Sequence, residues 1–400
     1  MLAGFKLAAL NWGAVGFGEW MLARRVFAVV MPLTICGLDI ALPRYLAIAA
    51  AGLGRFSPDR LVSGALQFVA VSAGTLVSAT VFSSADIARV VFGSEDQASL
   101  VAATASVVVG YTPQVLLYGY LRGESRFGAA NLLYVITHGV VPLVILALKP
   151  RSPGAALVQN SIVVFVVCSA LWVLVLWRGR IAVHRPAFAE GRVLAGYGAS
   201  RMYVALCLLL LSALPSVLAA REFGIAEAGI VAFGLSLIGI AAAAASPIGV
   251  AMLTSASVSF ASGVPRVQAE VRTVALSVVA VGALGTAASY LAVEPLAAWF
   301  LPGSVTPSQI LLLSVCALGT GPAFVFSAMR VVVDARTEEP LNARNVSMAF
   351  VLFIGLFVGG SLAFERPGAI LPVVGYVIAF VALAIATMFS ATRPTLEQTP

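Results

Sequence analysis

Eleven apolar runs, each near or above the ~20 residues a helix needs to cross a hydrocarbon layer, follow one another along this chain. They lie at 24–51, 59–83, 98–121, 127–148, 153–177, 194–220, 228–260, 270–292, 307–331, 345–364 and 367–390. A bilayer offers no water to backbone N–H and C=O groups, so consecutive runs of this length can only be helices. The fold class is therefore all-α, a polytopic membrane protein. A twelfth segment, 1–18, is short and holds Lys6, yet it lacks the basic start and cleavage site of a signal peptide. It reads as the truncated end of a first helix, which brings the count to about twelve.

Twelve short-looped spans use up the 400 residues and leave no room for a soluble catalytic domain. Charged residues make up 10% of the chain, against about a quarter in soluble domains. The net charge of +7 comes from residues scattered through loops, not from a basic block that would track phosphates, so nucleic acid is not a partner. Cys36, Cys168, Cys207 and Cys316 lie in apolar segments without metal-ligand spacing and read as packing residues. Nothing in the pattern calls for a cofactor or a metal.

Assigning alternate loops to opposite sides puts Arg55, Arg60, Arg122, Arg126, Arg178, Arg180, Arg185, Arg192, Arg266, Arg272, Arg330, Arg336, Arg344 and Arg393 on one side. Half as many, Arg24, Arg25, Arg89, Lys149, Arg151, Arg221 and Arg366, fall on the other. The positive-inside rule makes the first side cytoplasmic, together with the C-terminus. The longest linker, 178–193, is basic and divides the spans into an N-terminal six-helix lobe, 1–177, and a C-terminal lobe, 194–390. The polar tail 391–400 reads as disordered.

The lobes repeat. A shift of 211 places Gly13 and Gly18 on Gly224 and Gly229, and Leu42 on Leu253. A shift of 214 places Arg122, Glu124 and Asn131 on Arg336, Glu338 and Asn345, a shared Arg-x-Glu-x6-Asn motif at the cytoplasmic side. Because each half holds an even number of spans, the lobes are expected to be parallel repeats, an arrangement used by alternating-access transporters.

The runs Gly13-Ala-Val-Gly-Phe-Gly18, Cys36-Gly-Leu-Asp-Ile-Ala-Leu-Pro-Arg-Tyr-Leu46, Tyr120-Leu-Arg-Gly-Glu-Ser-Arg-Phe-Gly-Ala-Ala-Asn131 and Gly229-Ile-Val-Ala-Phe-Gly234 resemble the bacterial oligosaccharide flippases (Wzx-type polysaccharide transporters) of the MOP superfamily, whose fold is MATE-like. The resemblance runs over nearly the whole chain. It implies two six-helix bundles around a central cavity in the bacterial inner membrane, which move an undecaprenyl-pyrophosphate-linked oligosaccharide outward. The implied partners are the lipid-linked glycan, membrane lipids and polysaccharide assembly machinery. The chain departs from the family in its short first helix and in Leu253-Thr-Ser255, which stands where related flippases carry a Leu-Pro-Arg-like run.

Charges inside a bilayer cost about 2.5–3.5 kcal/mol on insertion scales, so they face a cavity or a partner. Arg44 and Asp39 flank Pro43 in the second span, and Arg44 reads either as a cavity cation for pyrophosphate or as a residue reaching the headgroups. Tyr111, Gln114 and Tyr118 share one face of the fourth span, with Arg122 a turn further on. Asn131, Tyr134 and His138 repeat the spacing in the fifth. Such stripes line an aqueous groove, where rings stack on sugars and amides bond hydroxyls, or they glue helices together. At the repeat positions the second lobe has Asn345, Met348 and Leu352. Tyr197 and Tyr203 read as interfacial aromatics.

Two other functions compete. An ion-coupled MATE-type exporter of small molecules would carry more acidic residues within its lobes, where Asp39 is the one carboxylate well inside a span. A membrane glycosyltransferase or polymerase needs a sizeable extramembrane loop with catalytic groups, and 84–97 offers only Asp86, Glu95 and Asp96. The chain thus reads as a transporter, not an enzyme. The orientation is checked by cysteine labelling in intact cells: Arg185→Cys should resist a membrane-impermeant maleimide, and labelling would reverse the topology.

Overall fold

The computed structural model describes residues 2–50, 52, 56–178, 187–261, 266–300, 305–336, 341–364 and 368–392, with side chains for all of these except 200, 201, 246, 249–261, 266–270 and 334–336. The described elements are helical throughout. They are α1 (Leu2–Ile35), α2 (Leu38–Ala50), α3 (Pro58–Phe82), α4 (Ser84–Phe92), α5 (Ala98–Gly123), α6 (Phe127–Val135), a π turn (Ile136–Val140), α7 (Val141–Ala147) and α8 (Pro153–Trp177). The chain continues with α9 (Phe188–Phe223), α10 (Ile225–Ala261), α11 (Arg266–Leu291), α12 (Val293–Phe300), α13 (Pro307–Leu318), α14 (Thr320–Arg336), α15 (Leu341–Ala363) and α16 (Ile370–Thr392). A single 3₁₀ turn, Glu95–Gln97, leads into α5. Among the described residues, 10 helical stretches are long and apolar enough to span a membrane, and the bent pair α1–α2 makes an eleventh.

The element order repeats as the sequence offsets require. A long helix is followed by a short one in α3–α4 and again in α11–α12, and the later spans follow in step. Gly13 (φ 66°) and Gly224 (φ 93°), which the 211-residue shift superimposes, are both left-handed joints ahead of a long helix. Each half also ties the start of its fourth span to the helix after that joint: Gln97 donates to Glu19 at 2.9 Å, and Gln309 donates to Glu227 at 3.0 Å. Three helices begin at a Ser-Pro or Thr-Pro pair, in which the hydroxyl of Ser57, Ser152 or Thr306 accepts a first-turn N–H. Proline there gives up no hydrogen bond and presets φ.

The helix boundaries near the N-terminus differ from the sequence reading. The expected gap between 1–18 and 24–51 is absent. Helix continues through residues 19–23, with a kink at Gly13, and the break falls instead at Cys36–Gly37, bent by 40°. Cys36 (φ 49°) and Gly37 (φ 71°) are both left-handed, which no α-helix accommodates. The helix ends at the break are capped: Ser72 Oγ donates to the Thr34 carbonyl at 2.6 Å, and the Ile40 and Ala41 N–H groups bond the Gly37 carbonyl at 3.1 and 3.0 Å. Arg24 and Arg25, assigned above to an outer loop, therefore lie inside α1.

Contacts divide the chain into two compact units, Met1–Leu209 with Gly224–Ala226, and Leu210–Phe223 with Glu227–Pro400. The first half of α9 belongs to the first unit, and glycines explain how. Gly191 meets the Gly64 backbone, and Gly198 meets Cys36 O and Gly37, so closely that no Cβ fits at either point. Arg60 pairs with the buried Glu190 at 2.7 Å, and Gln67 accepts the Ala187 N–H at 3.0 Å. Where α4 leads into the 3₁₀ turn, Arg89 pairs with Asp86 and Glu95, and its hydrogen bond to Glu95 holds the guanidinium pKa above its ordinary value. In the second unit the packed core includes Val271, Val278, Val325, Ala328, Met329 and Val332.

Gly198→Val should destabilise the protein by about 1–3 kcal/mol, the usual cost of overpacking. Gly196→Ala, with nothing within 4 Å of its added carbon, should be neutral or better. Thermal melts of the detergent-solubilised protein measure both, and equal melting temperatures would refute the close approach of α9 to the break.

Candidate functional site

The polar residues singled out from sequence gather in the first unit, in three groups. The first lies along α2. Arg44 is exposed there, its guanidinium 4.6 Å above the Tyr197 ring and donating to the Tyr197 hydroxyl, while Tyr45 packs edge-on against the same ring at 5.6 Å. Tyr197 is thus an Arg44 partner and not a free interfacial aromatic. Asp39, half-buried in the first turn of α2, lies within electrostatic reach of Arg122. The Arg122 guanidinium sits 5.5 Å over the Tyr118 ring at the end of α5, and Glu124 follows as that helix's exposed C-cap.

The second group is a run of rings. Tyr118 meets Tyr134 (5.9 Å between centroids), Tyr134 meets His138 (4.3 Å), His138 meets Tyr111 (4.8 Å) and Tyr111 meets Phe27 (5.3 Å). Its inner end is fixed: the buried Tyr111 donates to Thr137 O at 2.8 Å and accepts from Asn160 Nδ2 at 3.1 Å. Its outer end is open, since Asn131, Tyr134 and His138 are exposed. Tyr111 therefore does the gluing that the sequence left as one alternative, while Tyr134 and His138 stay exposed. Gln114 is buried, with Oε1 unpartnered.

The third group centres on a residue that the sequence reading misplaced. Arg24 lies about three turns beyond Gly13 in α1, 4.6 Å from the Trp20 ring and 5.6 Å from that of Phe5. It makes no hydrogen bond or ion pair among the described residues. Phe27, three residues on along the same face of α1, meets the Tyr111 ring at 5.3 Å, which links it to the rings. The signal was present: from Trp20 to Met31 no glycine or proline interrupts the chain, so two adjacent arginines were weak grounds for a loop.

The second unit fills the corresponding positions with apolar side chains. At the repeat offsets Arg24 becomes Leu235, 1% exposed, and Tyr111, Gln114 and Tyr118 become Val325, Ala328 and Val332, all in the packed core. Tyr134 and His138 become Met348 and Leu352. Asn345, the counterpart of Asn131, is buried, with Nδ2 3.3 Å from Ser390 Oγ in an interhelical contact. The remaining motif residues Arg336 and Glu338, and Ser255 opposite Arg44, lie outside the described side chains.

Neither a family model nor a curated relative matches this sequence. Solved structures do. An inward-facing multidrug resistance MATE family transporter of the MOP superfamily superimposes with a TM-score of 0.78 at 15% identity, over 97% of this chain and 93% of that one. The lipid II flippase MurJ, in an inward closed conformation, gives 0.67 at 13% identity, over 97% and 85%. The Vibrio cholerae MATE transporter VcmN, in its bent form, gives 0.59 at 16%, over 98% of each. The chain has the fold of these proteins. The matched proteins are transporters and a flippase, and this chain, with 10 described helices long and apolar enough to cross a membrane, is a multi-pass membrane protein.

Proposed function

We propose that this protein is a flippase that carries an undecaprenyl-pyrophosphate-linked oligosaccharide across the bacterial inner membrane by alternating access, with lobes 1–177 and 194–390 joined by the cytoplasmic linker 178–193. The observation that carries the reading is Arg24. A guanidinium inside a membrane helix needs an anion or water, and this one has neither an acidic partner nor a hydrogen bond among the described residues. Its repeat partner is a buried leucine, so the fold itself does not require a cation there. A pyrophosphate supplies the missing charge and several acceptor oxygens in one group. The likeness to a lipid II flippase supports a lipid-linked substrate.

Arg44 is the second cation of the site, reaching the headgroup when Tyr197 releases it. The ion-coupled exporter reading rests on a single carboxylate, Asp39 in the first turn of α2, beside stripes that hold no acidic residue. The product leaves on the outer face for the surface-polysaccharide assembly machinery, and the C-terminus stays cytoplasmic.

In a deletion strain complemented with variants, Arg24→Leu should lower surface glycan export roughly tenfold or more, since charge-assisted hydrogen bonds contribute about 1.5–3 kcal/mol. Membrane levels should not change, and Arg24→Lys should recover part of the export. Full export by Arg24→Leu would remove the basis of the assignment, and loss of resistance to small cationic drugs without loss of glycan would favour the exporter.

A further inference from the structure

We propose that the π turn at 136–140 builds a sugar-reading platform in the first lobe, where the exposed Tyr134 ring stacks on the sugar attached to the pyrophosphate and the His138 imidazole bonds its hydroxyls. The proposal rests on the lipid-linked substrate reading above and assigns glycan selectivity to particular side chains.

The turn has a local cause. Pro142 has no N–H to give to the His138 carbonyl, and the hydrogen bonding slips by one residue, so that the Val141 N–H bonds Ile136 O. One residue is thereby added to the turn, and His138 comes to lie between two tyrosines, with centroids at 4.3 Å from Tyr134 and 4.8 Å from Tyr111. The corresponding helix of the second lobe, α15, runs unbroken from Leu341 to Ala363 and carries no proline. A wide turn and two stacked rings are therefore not demanded by the architecture.

The chemistry of the cluster is selective in a particular way. Tyr134 keeps 50% of its surface exposed, and His138 is exposed. Tyr134 offers a flat apolar face, against which the C–H face of a pyranose packs. The His138 imidazole, held between the two tyrosines, makes no hydrogen bond among the described residues. An unmet polar ring beside a bare aromatic face costs free energy in hydrocarbon, and a ligand that is apolar on its faces and hydroxylated at its rim meets both needs. Lipid tails meet only the first. Phe27, three residues on from Arg24 along the same face of α1, meets the Tyr111 ring at 5.3 Å, so a phosphate held by Arg24 lies beside this platform and the sugar bonded to that phosphate is the one it touches.

The repeat supplies the control variant. Tyr134→Met/His138→Leu installs the second lobe's own residues, which the fold accommodates at 348 and 352. The full-length protein in nanodiscs is titrated with undecaprenyl pyrophosphate and with the same lipid bearing a single glucose, galactose or N-acetylglucosamine. At least one sugar lipid should bind wild type about tenfold more tightly than the bare lipid. The double variant should bind the bare lipid like wild type and lose that increment. The platform is overturned if no sugar lipid exceeds the bare lipid in wild type, or if the increment survives in the double variant. Arg24→Leu separates the two claims: it should weaken the bare lipid and the sugar lipids alike, and unchanged affinity for the bare lipid would overturn the headgroup site while leaving the sugar increment to be judged by the double variant.

Discussion

A polar side chain inside a bilayer must find a partner on a neighbouring helix or face a compartment that holds water or ligand, because the hydrocarbon offers it nothing. In the first unit most polar groups take the first course. Ser72 closes the carbonyl left free at the helix break, Tyr111 links Thr137 with Asn160, Glu190 holds Arg60, and Gln97 binds Glu19. Against that background, the groups left over stand out. Arg24 faces two aromatic rings without an anion, and His138, held between Tyr111 and the exposed Tyr134, makes no hydrogen bond among the described residues. The proposed site is built on Arg24, Tyr134 and His138.

Duplication turns one chain into its own comparison. Both halves keep the left-handed glycine joint, the short helix after the third span and the amide–carboxylate tie at the start of the fourth. These features serve the architecture, because both halves need them. Arg24, Tyr111, Gln114, Tyr118, Tyr134 and His138 have Leu235, Val325, Ala328, Val332, Met348 and Leu352 as counterparts, four of them buried aliphatics. The same fold forms with either set, so the polar set answers to something other than folding.

Much of this was legible in the sequence, because the bilayer leaves so few options. Apolar run lengths gave the long helices from α3 onward, though not the short α4 and α12, of which α4 forms where 84–97 was read as a loop, and the offsets of 211 and 214 gave the duplication. Spacing alone put Tyr111, Gln114 and Tyr118 on one face and Tyr134 and His138 on the next, and the rings do meet. Two features were not legible. The break at Cys36–Gly37 depends on left-handed backbone at a cysteine, which no composition rule anticipates. The partnership of Arg44 with Tyr197 depends on glycines at 37, 64, 191 and 198 allowing α9 to lie against α2 and α3, and periodicity within a helix carries no information about which helix lies opposite. Arg24 was misread for a simpler reason: two adjacent charges suggested a loop, although the surrounding residues keep helical continuity.

The central claim is that the first lobe holds the substrate headgroup, and photocrosslinking tests it most directly. A lipid-linked glycan with a diazirine on the sugar next to the pyrophosphate is incubated with the full-length protein in nanodiscs, irradiated and mapped by mass spectrometry. The account predicts adducts concentrated in α1, α5 and residues 127–147. Adducts spread equally over α10, α14 and α15, or confined to them, would contradict it.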